Sequence, residues 1–142
     1  FEAAVKNLHA RNLEVIVHTI LGLPGESSEQ MLETINYLNC QPIQGIKLQL
    51  LHVLKGTDLA DDYLAGKFQT LSREEYLDLL ISCLEHLSPD LVIHRVTGDG
   101  PKNLLIAPLW SSAKRSVLND LHHIMKVRNT WQGRLYKEDL YD

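Results

Sequence analysis

The stretch ILGLPGE, residues 20–26, separates two segments of opposite character. Before it runs LEVIV, which is β-branched and apolar; after it comes SSEQMLETINYL, which reads as helix. Strand, tight turn and helix in that order open a βα unit. Gly22, Pro24 and Gly25 crowd into the turn, more backbone permissiveness than a strand-to-helix connection needs. One reading is a tight turn and nothing more. The other is a ligand lying against the main chain, since ligands of parallel α/β folds sit beyond the carboxyl ends of strands. The pattern is neither a GxGxxG fingerprint nor a P-loop, which would require Lys-Ser/Thr.

The same alternation continues outward. Residues 1–11 carry an apolar stripe of Phe1, Ala4, Val5 and Leu8 and end at Asn12. A strand is expected over 13–21. Ser27 or Ser28 caps a helix whose apolar face is Met31, Leu32, Ile35 and Leu38, and Gln41-Pro42 breaks it. A second strand is expected over 45–53 and a short helix over 58–65. Ser72 with Glu75 makes a capping box for a helix reaching about residue 87. A third strand is expected over 91–97 and a last helix over 112–127. The polar, aromatic tail NTWQGRLYKEDLYD is expected to pack only locally. Strand and helix alternating in this way imply an α/β fold with parallel strands and right-handed crossovers. Three strands make a thin sheet, so the chain reads as a fragment of a longer protein. Residues 1–128 are the half-barrel or half-sheet, and 129–142 an extension. A half-structure of this kind would expose apolar surface and is expected to self-associate.

Composition narrows the classes. The chain has 142 residues, 44% hydrophobic and 23% charged, with a net charge of −4. That charge exerts no general pull toward nucleic acid. No run approaches a membrane span, and FEAAVKNLHARN is no signal peptide. Cys40 and Cys83 are too few for a disulfide framework and match no metal spacing; a cytoplasmic location follows as the default. His122-His123 splay apart by about 100° on a helix, which argues against a shared metal. Lys114 and Arg115 fall in the first turn of the last helix, where the macrodipole disfavours cations; an anionic partner such as RNA and a solvated basic turn are the two readings.

Strand faces single out candidate site residues. Val15, Val17, Thr19 and Leu21 make the better helix-covered face, which turns Ile16, His18 and Ile20 inward. In the second strand Ile46, Leu48 and Leu50 pack outward, leaving Lys47, Gln49, Leu51 and Val53 inside. In the third, either His94 or Arg95 faces in. Inward cations in a dry core are costly unless paired or bound to something anionic. Lys47 and Arg95 therefore read as a site lining, the alternative being strand ends that snorkel to solvent.

HTILGLPGES, GIKLQLLHVLKGTDLADDYLAGK, SREEYLDLLISCLEHL and IHRVTGDGP with APLW together resemble radical S-adenosylmethionine (SAM) enzymes, in particular the YhcC/YtqA-type group related to the elongator catalytic subunit. The likeness covers residues 1 to about 133. It implies the C-terminal half of a partial (βα)6 barrel. In such enzymes a three-cysteine motif holds a [4Fe-4S] cluster, and SAM bound to it supplies a radical that abstracts hydrogen from the substrate. That motif is absent from this sequence, so the resemblance implies that cluster and SAM belong to the longer protein. None is expected on the fragment, which is expected to be inactive alone. The family's fifth strand and following turn touch the SAM adenine, and the resemblance carries this role to His18, Ile20, Gly22 and Glu26, although Glu26 comes one residue late. Gln49 and Leu51 match the region flanking SAM. His94, Arg95, Asp99 and the loop 98–101 match the substrate side, with Lys47 as a further candidate. The partners implied are the missing N-terminal half and an unknown substrate, with RNA among the candidates. The function that remains open beside this one is a phosphate- or nucleotide-binding α/β module without radical chemistry.

Overall fold

The computed structural model describes residues 1–138; the last four residues of the expected extension lie outside the described residues. In chain order the elements are α1 (Glu2–His9), β1 (Ile16–Leu21), α2 (Ser28–Asn39), β2 (Gly45–Leu50), β3 (Val53–Leu54), α3 (Asp58–Leu64), α4 (Arg73–His86), β4 (Val92–Arg95), β5 (Leu105–Ala107) and α5 (Lys114–Val127). A 3-10 turn at Leu109–Ser112 leads into α5. The expected strands form one parallel sheet in the order β1-β2-β4.

Local chemistry sets the boundaries. Asn12 ends the first helical segment with φ +57°. Ser27 caps α2 and Ser72 caps α4, each through a reciprocal capping box with Gln30 and Glu75 respectively. Gln44 fixes where the sheet begins: its side-chain oxygen accepts from the Val15 amide at 2.8 Å, and its carbonyl accepts from the Val92 amide at 3.0 Å. One polar residue thus ties the entries of β1, β2 and β4 together.

Alternation then sorts the side chains. Ile46, Leu48, Leu50 and Leu21 are buried on the helix side, against Met31, Ile35 and Leu38 of α2 and the apolar face of α4. Helix α4 is the central support, with Tyr76, Leu77, Leu79, Leu80, Ile81, Cys83 and Leu84 all buried. Helix α5 contributes Val117 and Leu121. The opposite sheet face is bare: Ile16, Ile20 and Val92 are 39%, 44% and 58% exposed.

Several expectations need correction. The second strand stops at Leu50 rather than 53, because the chain turns away: Val53 joins β3, which pairs antiparallel with β5 over a small core of Val53, Ala60 and Ala107. Strand β5 has no counterpart in the sequence reading, since three residues show no periodicity. The third strand is shorter than 91–97 and carries a bulge: Ile46 pairs with Ile93, but Lys47 pairs with Arg95, skipping His94. The choice between His94 and Arg95 is therefore no choice. Arg95 lies opposite inward-facing Lys47, while the His94 ring covers Gly45, 2.7 Å from where a Cβ would stand.

The tail also does more than pack locally. The Gly133 and Leu135 amides donate to the carbonyls of Leu84 and Glu85 at 3.0 and 2.8 Å, and Arg134 pairs with Glu85 at 2.8 Å. Gln132 donates to the Ser88 and Leu91 carbonyls, each at 2.8 Å. Residues 132–135 thereby satisfy the end of α4 and the entry to β4.

Tyr76 joins the helix layer to the sheet. Its ring is fully buried and tilted against Trp110 at 5.6 Å, and its hydroxyl donates to the Val96 carbonyl at 2.6 Å. The Trp110 indole donates to the Leu71 carbonyl at 3.1 Å. Tyr76→Phe leaves that half-buried carbonyl short of a donor and is expected to cost about 1–2 kcal/mol, read as a lowered urea midpoint at unchanged slope.

Candidate functional site

A cavity of about 360 Å³ opens at the carboxyl ends of β1, β2 and β4, in the size range of roughly 300–1,000 Å³ typical of ligand pockets. Strand β1 supplies Ile20; β2 and the residues after it supply Gln49, Leu50, Leu51 and His52. Arg95 comes from the end of β4, and the following loop adds Gly98, Asp99 and Gly100. Ile20, Gln49, Leu51, Arg95 and Asp99, all marked from the sequence, therefore converge. A groove of about 300 Å³ along the free edge of β1 holds His18, Ile20 and Glu26, so Ile20 is shared. Lys47 lies one row below the cavity, opposite His18 and Arg95 in the sheet register. A larger groove of about 590 Å³ follows β4 beneath α5; its lining is mostly apolar, with Arg95 common to both.

Gly22 directs its absent side chain toward the core rather than toward the cavity. A Cβ there would lie 3.1 Å from Leu71 and 3.9 Å from Leu50, on the helix side, and φ is +86°. The turn needs glycine for its backbone conformation and for core packing, so no side chain was removed to admit a ligand. Only its main chain remains available to one.

Asp99 organises the polar rim. Its carboxylate accepts from Lys114 and pairs with Arg95 at 3.4 Å. The Lys114 hydrogen bond, then the Lys114 and Arg95 charges, hold its carboxyl below the usual carboxylate range. This contact also gives Lys114, in the first turn of α5, a counter-charge in Asp99.

His52 is the residue that sequence reasoning missed. Its ring sits against the loop so tightly that a Cβ on Gly98 would collide with it, and one on Gly100 would lie 2.6 Å from Nδ1. Nε2 is buried, with no hydrogen-bond partner among the described residues. Burial, with Lys114 adding to it and Asp99 opposing, lowers its pKa below the ordinary histidine value and favours a neutral imidazole. The available signal was a histidine directly after a buried strand together with two glycines in GDG, which only the fold brings together.

The cysteines stay apart from this site. Cys40 is exposed at the end of α2; Cys83 is buried within α4, and burial pushes its thiol up to about 12. Among the described residues no group of three or more His, Cys, Asp or Glu could hold a metal ion. The donors of this chain do not fit an iron–sulfur cluster, which thiolates hold.

Fold and site together define a class: a parallel α/β half-layer, bare on one face, with a polar cavity at the carboxyl ends of its strands. The chain belongs to the Radical_SAM C-terminal domain family, whose model matches residues 43–141. It is 38% identical over 133 residues to Uncharacterized protein YtqA of Bacillus subtilis, covering 94% of this chain and 41% of that protein. It is 34% identical over 100 residues to protein YhcC of Escherichia coli, covering 70% and 32%. Among solved structures it resembles the archaeal Methanocaldococcus infernus Elp3 with N-terminus deletion (1-46), with a TM-score of 0.77 at 18% identity, covering 92% of this chain and 30% of that one. The chain thus spans about two-fifths of the length of the first of these relatives.

The contact between His52 and the loop yields a coupling test. Gly98→Ala is expected to destabilise by about 1–3 kcal/mol through overpacking. In a His52→Ala background the same change should cost less than about 0.5 kcal/mol. Urea unfolding of the four proteins in this cycle measures the difference.

Proposed function

We propose that this chain forms the C-terminal half of a radical SAM barrel, contributing the adenosine side and part of the substrate side of the site. The observation that carries the reading is the convergence of Ile20, Gln49, Leu51, Arg95 and Asp99 on one cavity beside a bare sheet face. Ile20 and Leu51 offer apolar contact for a flat ring, Gln49 an amide that both donates and accepts, and the 20–22 main chain further polar groups. His18 and Glu26, in the adjoining edge groove, sit where the ligand's far end would reach. Arg95 and Asp99, with Lys47 below, form the substrate side.

The cluster and the rest of the barrel belong to the part of the longer protein that this chain does not span. The chemistry such a cofactor supplies when bound is radical initiation by hydrogen abstraction. The residues here would bind, orient and exclude water. The upstream half would cover Ile16, Ile20 and Val92, and the 142 residues alone would self-associate through that face. No described helix is long and apolar enough to cross a membrane; with two free cysteines, a cytoplasmic setting suits the protein. RNA remains among the substrate candidates. A nucleotide-binding module without radical chemistry would share the cavity but would lack a cysteine triplet upstream.

Ile20 provides the direct test, because it can be changed without straining the turn as a change at Gly22 would. In the natural full-length protein, Ile20→Ala should weaken SAM binding roughly tenfold, from lost apolar contact of about 1.4 kcal/mol. Ile16→Ala, on the same face but lower in the sheet, should leave it within about twofold. Calorimetric titration checks both; equal losses would mean that the ligand does not lie at the end of β1.

A further inference from the structure

The sheet register stacks the bare face into rows. His18 stands opposite Lys47, and Lys47 opposite Arg95. The row below is Ile16, Gly45 and Val92; the row above begins with Ile20 and Gln49. Lys47 lies between Ile46 and Leu48, both fully buried on the helix side, so it belongs to the bare face. A basic band therefore separates an apolar row from the cavity, and Arg95 belongs both to the band and to the cavity lining.

The counter-charge is insufficient. Asp99 is the carboxylate that pairs with Arg95, at a loose 3.4 Å, and it is shared with Lys114. The Lys47 ammonium has no ion pair or side-chain hydrogen bond among the described residues. Arg95 and Lys114 thus share a single carboxylate, and Lys47 has none. Once the face is covered, an unpaired ammonium is strongly disfavoured unless an anion meets it. A guanidinium fork beside a lysine point charge suits a carboxylate or phosphate group.

We propose that Lys47 and Arg95, with His18 at the end of the row, form a subsite for an oxyanion group, carboxylate or phosphate, carried by the substrate. This rests on the reading of the bare face as the interior of the site. The oxyanion enters through the cavity, meets Arg95 first and seats against Lys47. The adenosine-side residues Ile20 and Leu51 offer it nothing, so the row and the cofactor contacts divide the site between them.

The test uses the natural full-length protein, with amide shifts of Lys47 and Arg95 followed while inorganic phosphate or acetate is added at constant ionic strength. Saturable shifts are expected with at least one of the two anions. The affinity should fall at least fivefold in Lys47→Gln and in Arg95→Gln, and stay unchanged in Arg115→Gln. SAM affinity, measured in parallel, should stay within twofold in Lys47→Gln. No saturable binding, or binding lost in Arg115→Gln instead, overturns the proposal. Parallel loss of SAM and anion binding in Lys47→Gln would assign the oxyanion to SAM itself and overturn the substrate assignment. If the unaltered protein binds anion through Lys47 but no SAM, the cofactor reading fails and the oxyanion subsite stands.

Discussion

A parallel sheet is normally covered on both faces, because crossover connections lay helices on it and its strands carry apolar side chains on both sides. Here one face is covered. Ile46 and Leu48 are fully buried under α2 and α4, and everything on the helix side follows from that contact. The caps of both helices, the Tyr76 hydroxyl on Val96 and the docking of residues 132–135 on α4 all hold the helix layer against these strands. The other face carries Ile16, Ile20 and Val92 in the open. That asymmetry is the constraint from which the account of the site derives.

The site grows from the same sheet. Strand ends bring Ile20 and Gln49 to one level, and the β4 bulge sets Arg95 one row below, in register with Lys47, where it lines the same cavity. The bulge also lets His94 and Arg95 serve the same side, which strict alternation forbids. The loop after β4 can fold over His52 because Gly98 and Gly100 carry no side chain. Asp99 then links this loop to β4 through Arg95 and to α5 through Lys114.

Much of this was legible in the sequence, and for identifiable reasons. The parallel sheet, the helix-covered faces of β1 and β2, the serine cap of α2 and the Ser72–Glu75 capping box rest on periodicity and on residues a turn apart, which are local signals; the reciprocal half of the α2 cap, from Gln30, went unread. The convergence of Ile20, Gln49, Leu51, Arg95 and Asp99 was marked by position at strand ends together with the family resemblance. What failed depended on distance. β5 pairs with β3 across some fifty residues of chain and has no pattern of its own. The tail finds α4 through main-chain amides that any sequence possesses. His52 acquires its meaning from two glycines in a loop more than forty residues away, and Gly22 from Leu71 beneath it rather than from a ligand above.

The central claim is that the bare face and the free edge of β1 are interior surfaces of a larger barrel. Amide hydrogen exchange along Ile16–Leu21, compared between this 142-residue chain and the natural full-length protein, tests it most directly. The β1 amides not engaged by β2 should exchange rapidly in the chain alone and at least a hundredfold more slowly in the full-length protein, where a neighbouring strand takes them up. Equally rapid exchange of these amides in both would show that the edge stays open, and the half-barrel account would be wrong.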